Sequence, residues 1–212
     1  MPFPQLIRPI AIAVALPVLL GACGTLSALG DATTPSDIYE LSTPTDLPLR
    51  QGRPQARDII VEVPNTGGAL ATDRIMIRPA PLQAQYLPDV RWSDDAPVML
   101  QTLMLRALNR TGAFEYVGRR PLGPGGDFAI VTELVDFEAV LGPDEDSARV
   151  EVRMIVRIVR ERDVRIIASR SFAASANAPS LDDADLVEAF DSATATVISE
   201  FAEWAMGTLR TY

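Results

Sequence analysis

The side chains able to do chemistry in this 212-residue sequence are carboxylates, arginines, hydroxyls and one cysteine, Cys23; it has no histidine, and all 19 cations are arginines. Without an imidazole there is no Ser-His-Asp or Cys-His arrangement and no histidine-based metal site. Without lysine there is no Schiff base, Ser-Lys dyad or phosphate-loop lysine. A pair of carboxylates, as used on glycans, is the remaining route to catalysis. The acids, however, cluster where structure explains them. Asp94-Asp95 and Asp182-Asp183-Asp185 precede apolar periodic runs, where acids complement a helix dipole. Asp144-Glu145-Asp146 lacks the twelve-residue spacing of a calcium loop and reads as a charged turn. The residue inventory points away from an enzyme and implies neither a metal nor a diffusible cofactor.

Cys23 has the better chemical context. The chain opens with one cation, Arg8, and an apolar run from Pro9 to Leu20, followed by Gly21-Ala22-Cys23. A charged start, a short apolar middle and small residues at a cut site mark an export signal. The run is shorter than the roughly 20 apolar residues that a bilayer-spanning helix needs. Leu20-Gly21-Ala22-Cys23 resembles the bacterial lipobox, which implies cleavage before Cys23 and lipidation of its sulfur. A lone cysteine in an exported chain otherwise lacks a role. Several acyl chains, at about 0.8 kcal/mol per buried methylene, would anchor the protein stably. Gly24 stands where the sorting pattern would place Asp for inner-membrane retention. That implies the periplasmic face of the outer membrane.

The expected organisation is therefore a signal peptide over residues 1–22, a lipidated N-terminus and flexible tether over 23–37, and one folded domain over 38–212. Without the signal the chain carries 18 arginines against 28 acids. Such an acidic protein is a poor ligand for nucleic acid or for anionic lipid. Membrane attachment must come from the lipid.

The elements that position the remaining polar groups follow from periodicity. Ile38–Leu41 alternates as a short strand, Ile59–Val63 is a β-branched strand, and Arg74–Arg78 and Leu82–Tyr86 are two more around Pro79 and Pro81. A helix starts at Ser93-Asp94-Asp95-Ala96-Pro97, presents Leu100, Leu103, Met104, Ala107 and Leu108 on one stripe, and stops at Gly112. Phe114–Val117 is a short strand. Three long strands over 127–141, 148–160 and 164–175, joined by short polar turns, predict an antiparallel meander. In the middle strand Val150, Val152, Met154, Val156 and Ile158 face one way, Glu151, Arg153 and Arg157 the other. A last helix to about Leu209 carries Leu186, Phe190, Ala193, Val197, Phe201 and Trp204 on one face. The expected fold class is α+β, a single domain with a mainly antiparallel sheet covered on one face by two helices.

The order of these parts resembles the ABC-type transport auxiliary lipoproteins, the PqiC-like family that accompanies MCE-type lipid transporters. Tyr39-Glu-Leu-Ser-Thr-Pro44 is similar to the family's opening, Thr72-Asp73-Arg74-Ile75 to its Asp-Arg segment, and Tyr86, Arg91-Trp92 and Pro97-Val98 to its approach to the first helix. The pattern departs at Leu87-Pro-Asp-Val90, which interrupts the stretch from tyrosine to tryptophan. The resemblance implies an accessory subunit that docks or scaffolds, with an MCE-domain protein, a permease and an ATPase as partners; self-association stays open. A structural outer-membrane lipoprotein, in an envelope assembly machine or cell-wall scaffold, is the rival reading, and a carboxylate hydrolase a weaker one. Candidate interface residues are Tyr39, Tyr86, Arg91 and Trp92, as aromatic and arginine anchors, and Arg153 and Arg157 on the polar sheet face. The plainer readings are a core tryptophan and a solvated face of paired charges.

Overall fold

A computed structural model describes residues 36–144 and 146–212. In chain order the elements are β1 (Asp37–Tyr39), β2 (Gln55–Val61), β3 (Arg74–Arg78), β4 (Gln85–Trp92), α1 (Ala96–Thr111), β5 (Phe114–Gly118), β6 (Phe128–Leu141), β7 (Ala148–Arg160), β8 (Arg165–Ala178) and α2 (Asp183–Leu209). The signal peptide, Cys23 and the predicted tether up to residue 35 lie outside the described residues; Asp37, the last residue of the expected tether, already belongs to β1.

Alternation builds the sheet. β6, β7 and β8 form the predicted antiparallel meander, and Val150, Val152, Met154, Val156 and Ile158 of β7 are all buried. Along the other edge of β6 two short branches attach. β2 pairs with its first residues, Ile59 opposite Phe128, and carries β5 on its far side. β3 pairs with its last residues, Ile77 opposite Ala139, and carries β4 and then β1. Between the branches β6 is irregular, with a register shift at Leu134–Asp136. Such an irregularity bends a strand and changes its twist, which lets the two branches diverge.

The sheet is therefore mixed, not mainly antiparallel. β1 with β4, β2 with β5, β2 with β6 and β3 with β6 are all parallel. Polar turns report only how consecutive strands pair. Parallel neighbours need long crossovers, and here the crossover from β2 to β5 contains α1. β4 also differs from expectation. It begins at Gln85 and runs through Pro88 to Trp92, with a wide bulge over Leu87–Val90: Met76 lies opposite Tyr86, while Arg74 lies opposite Arg91.

Both helices pack on this sheet and share one core with it. Pro97 occupies the first turn of α1, where its missing N–H costs nothing. Gly112 ends the helix at φ 62°, its N–H donating to the Asn109 carbonyl at 3.1 Å. The expected side-chain cap is absent: Asp95 takes the cap position without a capping hydrogen bond. On α2 the predicted stripe is buried from Leu186 to Phe201, and Trp204 is half-buried against Phe172. Among the described residues no helix is long and apolar enough to cross a membrane.

Candidate functional site

The face of the meander turned away from the helices carries the most organised polar surface. β7 places Arg149, Glu151, Arg153 and Arg157 on that face, and β6 places Glu133, Asp136 and Glu138 beside them, because residues two apart share a side of a strand. The charges interlock. Arg153 Nε donates to Asp136 Oδ2 at 2.5 Å, Arg157 lies 3.7 Å from Glu133, and Arg149 lies 3.6 Å from Glu151. The hydrogen bond to Asp136 holds the Arg153 guanidinium above its ordinary pKa. An open hollow of about 450 Å³ lies over this lattice, bordered by Asp136, Arg149, Glu151 and Arg153 and by the small residues Ala173 and Ser175 of β8.

One pair there had no sequence signal. Glu138 is only 6% exposed, yet it is a carboxylate in an apolar stretch of β6. Its partner is Arg78, at the end of β3, whose Nε donates to Glu138 Oε1. That hydrogen bond is the main reason the Arg78 pKa is raised, against a smaller opposing effect of burial. In the sequence Arg78 is only the last residue of a predicted strand, since the parallel pairing of β3 with β6 is what brings it to Glu138.

The other candidates separate. Trp92 belongs to the core at 1% exposure, its ring 5.2 Å from that of Phe190 and 5.7 Å from that of Phe137. It offers no surface to a partner, since β4 turns alternate residues inward and Val90 and Trp92 are the inward ones. Tyr39 is half-buried against the same core. Tyr86 donates its hydroxyl to the Ala69 carbonyl at 2.9 Å and has the Arg74 guanidinium 4.3 Å from its ring centre. Arg91 is exposed and lies 3.3 Å from Asp73. Tyr86 and Arg91 thus sit on β4, separated from Arg153 and Arg157 on β7 by β3 and β6. They do not form one patch. Among the described residues no three His, Cys, Asp or Glu side chains are grouped to hold a metal.

The sequence profile described as ABC-type transport auxiliary lipoprotein component matches residues 39–202, from the end of β1 to well within α2. The chain belongs to this family. A curated relative, an uncharacterized protein of Bradyrhizobium diazoefficiens, is 24% identical over 178 residues, which cover 84% of this chain and 47% of the relative. The chain thus spans about half the length of that relative. A crystal structure from Xanthomonas campestris, of family DUF330, shares the fold at a TM-score of 0.72, with 23% identity over 82% of this chain and 97% of that one. A second crystal structure, of an uncharacterized protein, aligns at a TM-score of 0.60 with 14% identity, over 81% and 99% of the two chains. The auxiliary lipoprotein match covers both branches of the sheet except the first residues of β1, the meander and most of α2.

Proposed function

We propose that this auxiliary lipoprotein is the membrane-anchored, non-catalytic docking subunit of an MCE-associated ABC system that moves lipid across the bacterial envelope. The family match over residues 39–202 carries this reading. Cys23 bears the lipid that holds the domain at the periplasmic face of the outer membrane. Its partners are the MCE-domain protein, the permease and the ATPase. Tethering raises the local concentration of the domain near the membrane, so a modest protein interface is enough.

The charge lattice of β6 and β7 is the docking face. Its alternation of arginines and acids suits a partner of matching alternation better than a uniformly charged one, which gives specificity and register more than raw affinity. The test places a photo-crosslinking amino acid at Ser175, beside the hollow, in the lipidated protein within its own envelope, followed by purification and mass spectrometry. Capture of an MCE-domain protein with permease and ATPase supports the reading. Capture of only a barrel-assembly factor or cell-wall material sinks it in favour of a structural envelope lipoprotein.

A further inference from the structure

Leu82, in the turn between β3 and β4, is the most exposed large apolar residue described; among the described residues only Val164, at φ 51° and 81% exposed, shares its exposure and left-handed backbone. Leu82 is 102% exposed, so nothing in the fold covers any part of it. Its backbone is also costly. The Gln83 N–H donates to the Ala80 carbonyl at 3.1 Å, and within that turn Pro81 is followed by Leu82 at φ 68°. Proline second and a left-handed residue third is the pattern of a type II turn, whose third position favours glycine. A leucine there accepts strain and gains no packing in return. Val164 bears the same strain but sits between Asp163 and Arg165, so it is strain together with uncharged surroundings that points to a contact outside the fold at Leu82.

The surroundings specify the contact. From Pro79 to Pro88 there is no ionisable side chain except Tyr86, whose hydroxyl is already bonded to Ala69. In a chain with 28 acids, this is an uncharged tip with little to desolvate. Residues 80–85 are all exposed. The topology then orients it. β1 runs parallel to β4, with Asp37 opposite Val90, so the N-terminal end of β1 points toward the start of β4 and hence toward this turn. From Cys23 to Asp37 the chain can reach at most about 50 Å, so a lipid on Cys23 leaves this end of the domain within reach of the bilayer.

We propose that the β3–β4 turn is a membrane-contact tip that seats Leu82 in the lipid surface and so orients the tethered domain. The proposal rests on the lipidation of Cys23. A zwitterionic surface fits best, because Asp144 and Asp146, in the turn after β6, share this end with the tip through the pairing of Arg78 with Val140. The lipid alone fixes distance. With Leu82 as a second point of contact, the β3–β4 end of the domain is turned toward the membrane.

The test uses the full-length lipidated chain in vesicles of phosphatidylethanolamine and phosphatidylcholine containing nitroxide-labelled lipid. With the Cys23 sulfur acylated, an Ala84→Cys variant offers a single thiol for an environment-sensitive fluorophore. A Val164→Cys variant, 81% exposed at the opposite end of the meander, is the control. The probe at 84 should be quenched and the one at 164 should not. Adding Leu82→Gly relieves the left-handed strain, so the fold is kept by circular dichroism while quenching at 84 is lost. Protein that floats with the vesicles but shows no quenching at 84, or equal quenching at both positions, overturns the tip while the anchor stands. Protein that does not float overturns the anchor and the tip together. Protection of the probe that appears only when envelope proteins are added assigns the turn to a protein partner and overturns the lipid reading.

Discussion

Ser42 gives both of its donors to Asp191: its backbone N–H at 2.6 Å and its hydroxyl at 2.8 and 2.9 Å from the two carboxylate oxygens. This contact fastens the segment after β1 onto the middle of α2. Arg110 of α1 holds the same segment by donating to the Pro44 carbonyl at 2.7 Å, and Leu41 is buried beneath it at 1% exposure. The strap therefore crosses both helices. Asp191→Ala removes the acceptor of both Ser42 donors. Because the site is solvent-exposed, the expected loss is about 1–2 kcal/mol, or a melting temperature lower by a few degrees. A thermal melt followed by circular dichroism checks it, and an unchanged midpoint would show that Leu41 alone holds the strap.

What could be read from the sequence was whatever depends on neighbours in the chain. The alternation in β7 and the apolar stripe of α2 have local periods, and both stand as read. The parallel joints do not announce themselves. Nothing near Ile59 says that its partner is Phe128, and nothing near Arg78 says that it meets Glu138. The charge lattice was half legible for the same reason: Arg153 and Arg157 are visible as one face of a strand, but their acids lie on β6. Pro88 misled, since proline in a strand reads as a break, whereas the wide bulge of β4 accommodates it without a ladder hydrogen bond.

Trp92 illustrates a core position that carries a flaw. It packs edge-on to Phe190 and tilted against Phe137, yet its indole Nε1 is buried without a hydrogen-bond partner among the described residues. An unsatisfied buried donor costs about 1–3 kcal/mol. Trp92→Phe deletes that donor along with some volume, so the two effects oppose, and the net change should be within about 1 kcal/mol. Trp92→Ala removes the ring altogether and should cost about 3–5 kcal/mol. Urea unfolding of both variants tests the pair. A loss for the phenylalanine variant as large as that for alanine would mean that the indole nitrogen is satisfied after all.

The Arg78–Glu138 pair is expected to behave asymmetrically. Glu138 is buried, and Arg78 is its partner across the parallel joint between β3 and β6. Arg78→Met strands a carboxylate inside the sheet and should destabilise by about 2–3 kcal/mol, below the full range for a buried pair because the Arg78 side chain is a third exposed. The double variant Arg78→Met/Glu138→Leu replaces both charges with apolar groups and should recover most of that loss. Chemical denaturation of the two single variants and the double variant makes a complete cycle. Additive losses would show that the two side chains act independently and that the joint is held by backbone pairing alone.

Asp183 opens α2 against the interest of its own charge. Burial, reinforced by repulsion from Asp37, Asp182 and Asp89, raises its carboxyl pKa above the ordinary carboxylate value. The folded chain thus binds a proton there more tightly than the unfolded chain does. The penalty on folding is complete above the folded pKa and is relieved as the pH falls toward the unfolded value. The helix dipole works the other way, favouring a negative charge in the first turn. With burial and repulsion holding the pKa up, Asp183→Asn should melt higher than the parent protein at pH 7. Below about pH 3, where an unfolded aspartate is also protonated, the two should melt together. Melting curves at the two pH values decide between the effects: a lower midpoint for the variant at pH 7 would mean that the dipole outweighs the neighbouring acids where β1 and β4 meet the start of α2.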